Sequence, residues 1–251
     1  MNVEIERLAR LDTWVHHWDA RWKIVAFSFF ILIAATVQHV SSALIALLIS
    51  IFFIAVSQLP WRTILKRLAA IHFFLIPCFL ILPFEFTGFE HSLSGFSYSR
   101  EGLHFAFLLY LRAISVVNAS LVLLYSTTMQ RFFHAGERLG IPRPLVQIAM
   151  LTYRFIFTFT IELQRIRQAL IVRGFQNLFS LHSWRTLAHV VGMLLIRSLE
   201  RTDKVYHAMK CRGYHGEIHS VYQFTTNPQD ISKSAILFIS AMGLFICDRI
   251  L

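Results

Sequence analysis

The stretch from residue 103 to residue 125 constrains the fold of this chain more than any other feature. It contains 23 residues, and Arg112 is the one Lys, Arg, Asp or Glu among them. About 20 such residues in a helix cross the hydrocarbon core of a bilayer, where every backbone polar group must be bonded within the segment. The whole chain agrees, because 56% of its 251 residues are hydrophobic. The sequence therefore predicts an integral membrane protein and argues against an ordinary soluble domain.

Further apolar runs predict an all-α membrane fold with about five transmembrane helices. Residues 24–37 and 43–56 are apolar and are separated by the more polar residues 38–42, and two further runs follow at 68–84 and 235–246. Each of the first two runs is shorter than a full span. We expect two short or tilted helices joined by a tight turn, and a single buried hairpin is the alternative.

The distribution of basic residues predicts the orientation of these spans. The formal net charge is +10, and 13 of the 24 Lys and Arg residues lie between residues 129 and 223. The candidate outer loops, 38–42 and 85–102, hold one, Arg100. Because Lys and Arg accumulate in cytoplasmic loops, we expect segment 129–223 and the N-terminus in the cytoplasm and the C-terminus outside. This arrangement suits a multi-pass protein of the bacterial inner membrane and argues against nucleic-acid binding.

The same pattern divides the chain into four regions. Two long helical patterns, 145–173 and 184–212, are too apolar for a free soluble domain and too charged to span. We expect such helices in or just below the cytoplasmic interface, packed on each other. The predicted regions are an interfacial N-terminal segment (1–23), transmembrane helices (24–128), a cytoplasmic coupling-helix region (129–225) and a final transmembrane helix (226–251).

Three tryptophans recur every four residues before the first apolar run. Trp14, Trp18 and Trp22 would share one face of a helix at that spacing. An aromatic anchor at the membrane interface is the favoured interpretation, and a ligand cage is the alternative.

A short helix ending occurs twice in the basic segment, as ALIVRGF at 169–175 and AMKCRGY at 208–214. Glycine one residue past a helix cap adopts a positive φ and closes a Schellman motif. In this register Gly174 follows the cap Arg173, and Gly213 follows the cap Arg212. A helix-cap interpretation explains the glycines and the aromatic residues after them. It explains the arginines in part, since a cation suits the negative end of a helix.

A docking interpretation explains what a helix cap leaves open. Ala169 and Ala208 each lie four residues before the arginine, on the same helix face, where a small side chain lets another surface approach the guanidinium. Arginine presents a planar fork of donors that suits carboxylates and helix-end carbonyls. Two arginine-tipped endings predict two docking sockets, hence a partner with two similar subunits. The residues alone leave both interpretations open.

Arg112 interrupts an apolar span and is therefore a functional candidate by default. The alternative is a structural arginine, bonded to backbone carbonyls or to Asn118. The sequence favours the structural role.

Metal, cofactor and catalytic sites have no sequence signature in this chain. The three cysteines are widely separated, and the 12 histidines form no cluster of ligands within a span. The sequence contains no G-x-x-x-x-G-K-[ST] phosphate loop. We expect no catalytic, cofactor-binding or metal-binding residue here, so an ATP-driven role would need an ATPase on another chain.

Six short motifs follow one another along the chain: Asp19-Ala20-Arg21-Trp22-Lys23 before the first span, Leu111-Arg112, Leu139-Gly140-Ile141-Pro142, Tyr153-Arg154-Phe155, Val172-Arg173-Gly174 and Cys211-Arg212-Gly213. In this order, over about residues 10–247, they resemble the transmembrane T component of energy-coupling factor (ECF) transporters, and among these the cobalt-transport CbiQ group. Two features depart from the family pattern: Ala20 stands where the family usually has proline, and the alanine usual before the arginine of each of the last two motifs is replaced.

The resemblance implies a non-catalytic scaffold in an ATP-driven uptake transporter, with cobalt as the substrate and a role in cobalamin biosynthesis. It implies that Arg173 and Arg212 insert into grooves of two cytoplasmic ABC-type ATPases. The chain would link these ATPases, which use the ATP, to a separate substrate-binding membrane subunit (S component) in the lipid bilayer.

Two other functions remain open on the residues alone. In the permease of an ordinary ABC importer, residues 136–140 would form the single loop that contacts an ATPase. A membrane-embedded enzyme is the second, and the lack of clustered acids or histidines at one membrane depth argues against it.

Overall fold

Helices dominate the computed structural model, which describes residues 18–58, 60–85, 91–93, 96–98, 100–175, 180–216 and 227–250. Two short strands pair antiparallel, with Leu93 opposite Phe96, inside the predicted outer loop. The rest of the regular structure is helical, which confirms the all-α fold class. In chain order the elements are α1 (Ala20–Thr36), α2 (Val40–Ser57), α3 (Trp61–Glu85), β1 (His91–Leu93), β2 (Phe96–Tyr98), α4 (Arg100–Tyr125), α5 (Met129–Arg138), α6 (Arg143–Val172), α7 (Leu181–Cys211) and α8 (Pro228–Ile250).

Among the described residues, α2, α3, α4, α6 and α8 are long and apolar enough to cross a membrane. Their number agrees with the sequence prediction, but the set differs at one place. The predicted first span is α1, whose 17 residues measure only about 26 Å. Helix α6 qualifies instead, although it was expected at the interface. It does so because residues 145–161 carry one charge, Arg154, and the other charges of α6 lie at its first residue, Arg143, and from Glu162 onward.

The chain forms two compact units, Met1–Ala135 with Gln223–Leu251, and Gly136–Tyr222. In the first unit α1 packs on α4 and α8, and α4 also packs on α2 and α3. Phe27 lies in the centre of this core and meets Phe53 edge-on at a centroid distance of 5.3 Å. Small buried residues allow the helices to approach closely, as is usual in membrane bundles. They include Ala26, Ala34, Ala46 and Ala241.

The tight turn predicted between the first two apolar runs is present. Helix α1 ends where Val37 adopts an extended conformation, and α2 begins at Val40. The carboxylate of Asp248, on α8, accepts hydrogen bonds from the backbone N–H groups of Gln38 and His39, each at 2.9 Å. These N–H groups precede α2, so an acid from α8 holds the turn between α1 and α2.

The second unit contains α6 and α7 as an antiparallel pair. Pro144 lies in the first turn of α6, where a missing N–H costs nothing. Arg197 of α7 forms an ion pair with Glu162 of α6. Toward the other end of the pair, the Tyr214 hydroxyl donates to Gln147 Oε1 at 3.3 Å. Arg197 thus contacts the later part of α6, and Tyr214, which follows α7, contacts the start of α6. The two helices therefore run in opposite directions.

The prediction of a shared tryptophan face was wrong for Trp18 and Trp22. Asp19 is the N-cap of α1, so Trp18 precedes the helix instead of lying on it. The Trp18 ring is 3% exposed and its Nε1 donates to Ser234 Oγ at 3.1 Å, whereas Trp22 is 38% exposed. Trp14 lies outside the described residues. The spacing failed as a guide because α1 begins only after Trp18, at the Asp19 cap.

Candidate functional site

The first arginine-tipped ending closes α6 with a complete Schellman motif. The N–H of Gly174 donates to the carbonyl of Ile171, and the N–H of Phe175 donates to the carbonyl of Leu170, both at 3.0 Å. Arg173 is the C-cap between them. These two bonds satisfy carbonyls that the helix leaves open at its end.

The second ending closes α7 with the same two bonds. The N–H of Gly213 donates to the carbonyl of Lys210, and the N–H of Tyr214 donates to the carbonyl of Met209, both at 3.0 Å. Arg212 is the C-cap. The helix stop predicted from the two similar sequences is therefore confirmed at both places.

Glycine is required at these endings by backbone conformation and not by lack of space. The φ angle is 76° at Gly174 and 82° at Gly213, in the left-handed region that residues with a Cβ avoid. A Cβ added at either position would meet nothing within 4 Å. The space around both endings is therefore open to another molecule.

Both arginines project from exposed surface. Arg173 and Arg212 are exposed, and so are the residues before them, Val172 and Cys211. Val172 is 86% exposed, which leaves an apolar side chain beside the guanidinium. Neither arginine belongs to an ion pair among the described residues. Ala169 and Ala208 are exposed as well, so the small-residue face expected near each guanidinium is accessible.

The antiparallel arrangement places the two endings far apart. Tyr214, in the second ending, is bonded to Gln147 near the start of α6. Arg173 lies at the opposite end of the same helix, about 39 Å away at 1.5 Å per residue. One small socket on a partner cannot hold both arginines at that separation.

The predicted N-terminal motif forms a helix start in the first unit. Asp19 Oδ1 accepts the backbone N–H of Arg21 at 3.0 Å, and its Oδ2 pairs with the Arg21 guanidinium at 2.8 Å. Lys23 is 1% exposed, and its Nζ donates to the carbonyl of Ser126 at 3.0 Å. The motif therefore ties the start of α1 to the end of α4. The sequence could not predict Ser126 as the partner of Lys23, because the acceptor is a backbone carbonyl, which every residue has.

Arg112 does not have the partner expected for it. The Asn118 amide nitrogen donates to Ser50 Oγ at 3.4 Å, and the buried Nε of Arg112 has no hydrogen-bond partner in the part of the chain that is described. The opposite charge that acts on this guanidinium is that of Asp248. No sequence pattern points to Asp248, which stands 136 residues later and looks like an ordinary polar residue at a helix end.

Across the described ranges, no three His, Cys, Asp or Glu side chains come together in a group that could hold a metal ion. The features available for interaction are thus two separated, exposed, cationic helix endings. Such endings can bind carboxylates or helix-end carbonyls of a partner through charge-assisted hydrogen bonds.

Comparison with known proteins agrees with this arrangement. Residues 12–222 match the family model of CbiQ, described as cobalt transport protein. A transmembrane protein EcfT of an energy-coupling factor transporter, from Heliobacterium modesticaldum, is 26% identical over 86% of this chain and 85% of its own length. The cobalt transport protein CbiQ of Salmonella typhimurium is 29% identical over 48% of this chain and 53% of its own length.

An uncharacterized protein of Methanocaldococcus jannaschii is 25% identical over 99% of this chain and 87% of its own length. The family match covers both helix endings and the N-terminal motif. With five helices able to cross a membrane, the chain is a multi-pass membrane transport protein. It belongs to the CbiQ family of cobalt transport proteins, the T components of energy-coupling factor transporters.

Proposed function

We propose that this chain is the coupling scaffold of an ECF-type uptake transporter in the bacterial inner membrane. Two cytoplasmic ABC-type ATPases would dock at the two helix endings, one at Arg173 and one at Arg212. ATP binding and hydrolysis in these partners would shift α6 and α7, which would act as levers on a separate substrate-binding membrane subunit. The chain itself would remain non-catalytic and would bind no cofactor.

One observation carries this proposal: two endings of identical geometry stand at opposite ends of one antiparallel helix pair. Each presents an exposed arginine that the described residues leave without an ion pair. A separation of about 39 Å suits two subunits better than one. An ordinary ABC permease would instead be expected to offer a single contact loop. Its candidate, residues 136–140, begins inside α5, and Glu137 pairs there with Arg143 at 3.3 Å.

Alanine substitution tests docking directly. Losing charge-assisted bonds in a partly dehydrated socket should cost about 2–5 kcal/mol at that contact. Arg173→Ala and Arg212→Ala should each weaken co-purification of the ATPases or uncouple hydrolysis from uptake. The double variant should abolish uptake, because the second docking step is effectively intramolecular once the first is made. Arg→Lys should rescue partly, since an ammonium lacks the planar fork.

Arg165→Ala and Lys204→Ala are the controls, because both cations are exposed on α6 and α7, about eight residues before the Arg173 and Arg212 endings. They should leave uptake and ATPase retention near the wild-type level at equal expression. A double variant of Arg173 and Arg212 with normal uptake would reduce the two endings to ordinary helix caps, where each arginine contributes about 0.3–1 kcal/mol.

Cobalt is the proposed substrate, supported by the description of the family and by the name of the Salmonella relative. Uptake of radioactive cobalt, with nickel as competitor, should be measured in cells that express the chain with its partner subunits. ATP-dependent cobalt accumulation that the Arg173/Arg212 double alanine variant lacks would support it. Intact assembly without cobalt uptake would refute the substrate and leave the docking role standing.

A further inference from the structure

A cleft of about 640 Å³ opens between α6 and α7 in the second unit. Its walls combine apolar and basic side chains. Leu151 and Phe155 of α6 and Val205 and Met209 of α7 supply apolar surface, and no Asp or Glu lines the cleft. The basic side chains are Arg154, Arg201 and Arg212.

The three arginines of the cleft carry positive charge, and none of the residues that line the cleft is an acid. None of the three belongs to an ion pair among the described residues. In the adjoining groove Glu162 pairs with Arg197, and Glu200, Arg201 and Lys204 also line that groove. The Arg201 guanidinium carbon lies 5.8 Å from the centroid of the Phe155 ring, which holds the fork against the cleft wall. This local excess of positive charge attracts an anion.

Exposed apolar side chains lie on both helices outside the cleft. Ile148 and Ile156 of α6 are 61% and 41% exposed, and α7 exposes Val191, Leu195 and Leu199, among others. Arg154 itself stands within the apolar stretch 145–161. An inorganic anion would use the arginines but not the apolar flank. A ligand with an anionic head and long hydrocarbon chains uses both.

We propose that this cleft binds the headgroup of an anionic phospholipid, with Arg154 and Arg201 donating to phosphate oxygens and the acyl chains lying along the exposed apolar face of α6 and α7. Arg212 at the rim adds charge but remains part of the second helix ending. The site goes beyond the proposed docking role, because Arg154 and Arg201 lie on the helices and not at their ends.

Lipid binding to the purified full-length chain tests the site. Phosphatidylglycerol and phosphatidylcholine are titrated separately, and bound lipid is measured by native mass spectrometry. The wild-type chain should prefer phosphatidylglycerol. Arg154→Gln with Arg201→Gln should weaken phosphatidylglycerol binding about twenty-five-fold, from about fivefold for each arginine near a lipid headgroup. Arg165→Gln with Arg185→Gln removes the same charge from α6 and α7 outside the cleft and should change the affinity less than about twofold.

The double variant Arg154→Lys with Arg201→Lys keeps the charge, and it replaces the glutamine variant in the test if the latter does not fold. It should retain part of the preference for phosphatidylglycerol.

Equal binding of both lipids by the wild type, or an equal loss in the two glutamine pairs, would overturn the proposal. Full competition by inorganic phosphate would assign the cleft to a free anion. If Arg154→Gln with Arg201→Gln released the ATPases and left lipid binding unchanged, the cleft would belong to a protein partner. Loss of lipid binding with normal retention of the ATPases through Arg173 and Arg212 is the supporting result.

Discussion

At the scale of single residues, Lys23 shows how the N-terminal motif stabilises the membrane unit. Its side chain is 1% exposed, and Nζ donates to the Ser126 carbonyl across 103 positions of sequence. Arg131 and Lys233 repel its charge, and Asp230 attracts it. A buried lysine with such neighbours is retained where its hydrogen bonds join separate helices, and here they join α1 to the end of α4.

Lys23→Ala should lower the stability of the protein. The change leaves the Ser126 carbonyl without its donor and opens a cavity, which together should cost about 2–4 kcal/mol. The measurement is the unfolding midpoint of the purified chain in detergent. Lys66→Ala, at an exposed lysine on α3, is the control and should stay within about 0.5 kcal/mol of wild type. A Lys23→Ala midpoint equal to that of the control would show that the bond does not stabilise the unit.

At the scale of elements, the endings of α6 and α7 follow from local chemistry. Positive φ at Gly174 and Gly213 lets two backbone bonds close each helix. The arginine at each cap is exposed. The same residues thus end the helix and leave a guanidinium accessible, so the helix cap and the proposed docking are compatible.

Substitution of these glycines should separate backbone strain from packing. Gly174→Ala and Gly213→Ala should each destabilise by about 1–2 kcal/mol, because a Cβ disfavours positive φ. Gly192, inside α7, also has nothing within 4 Å of an added Cβ but lacks the positive φ. Gly192→Ala should therefore stabilise by about 1 kcal/mol. Thermal midpoints of the three variants check this, and loss in all three would mean that packing, and not φ, decides.

The turn between α1 and α2 depends on an acid from α8. Asp248→Ala removes the acceptor for the N–H groups of Gln38 and His39 and should cost about 1–3 kcal/mol, the usual range when hydrogen-bond donors lose their partner. Asp248→Asn should recover most of that, since its carbonyl oxygen can still accept. Asp203→Ala, on the exposed surface of α7, serves as the control. The prediction fails if Asp248→Ala melts at the wild-type temperature.

At the scale of the whole molecule, the positions of the basic residues and the helix endings predict one orientation. Cys211 is exposed in the second ending, and Cys247 lies near the end of α8. The excess of arginine in 129–223 places Cys211 on the cytoplasmic side and Cys247 near the outer face. The two thiols lie on opposite sides if α8 crosses the membrane, because α8 is the candidate span between them in the described part of the chain.

Thiol labelling in intact cells tests this topology. In a Cys78→Ser background, a membrane-impermeant maleimide should react with Cys247 and miss Cys211, and permeabilisation should expose Cys211. Single-cysteine versions of each thiol provide the controls for intrinsic reactivity. Rapid labelling of Cys211 from outside would reverse the proposed orientation and place the neighbouring Arg212 outside the cytoplasm, where it could not contact an ATPase.

The sequence by itself determined the features that depend on neighbouring residues. Apolar runs predict membrane helices because each segment must satisfy its own backbone, and the glycines after Arg173 and Arg212 predict helix ends because conformation there is local. Only the tertiary structure decided which distant groups meet. Asp248 reaches His39 across 209 positions, and the cleft exists because α6 and α7 run antiparallel. Such pairings depend on the packing of whole helices, which leaves no periodicity or motif in the chain for a reader of the sequence to find.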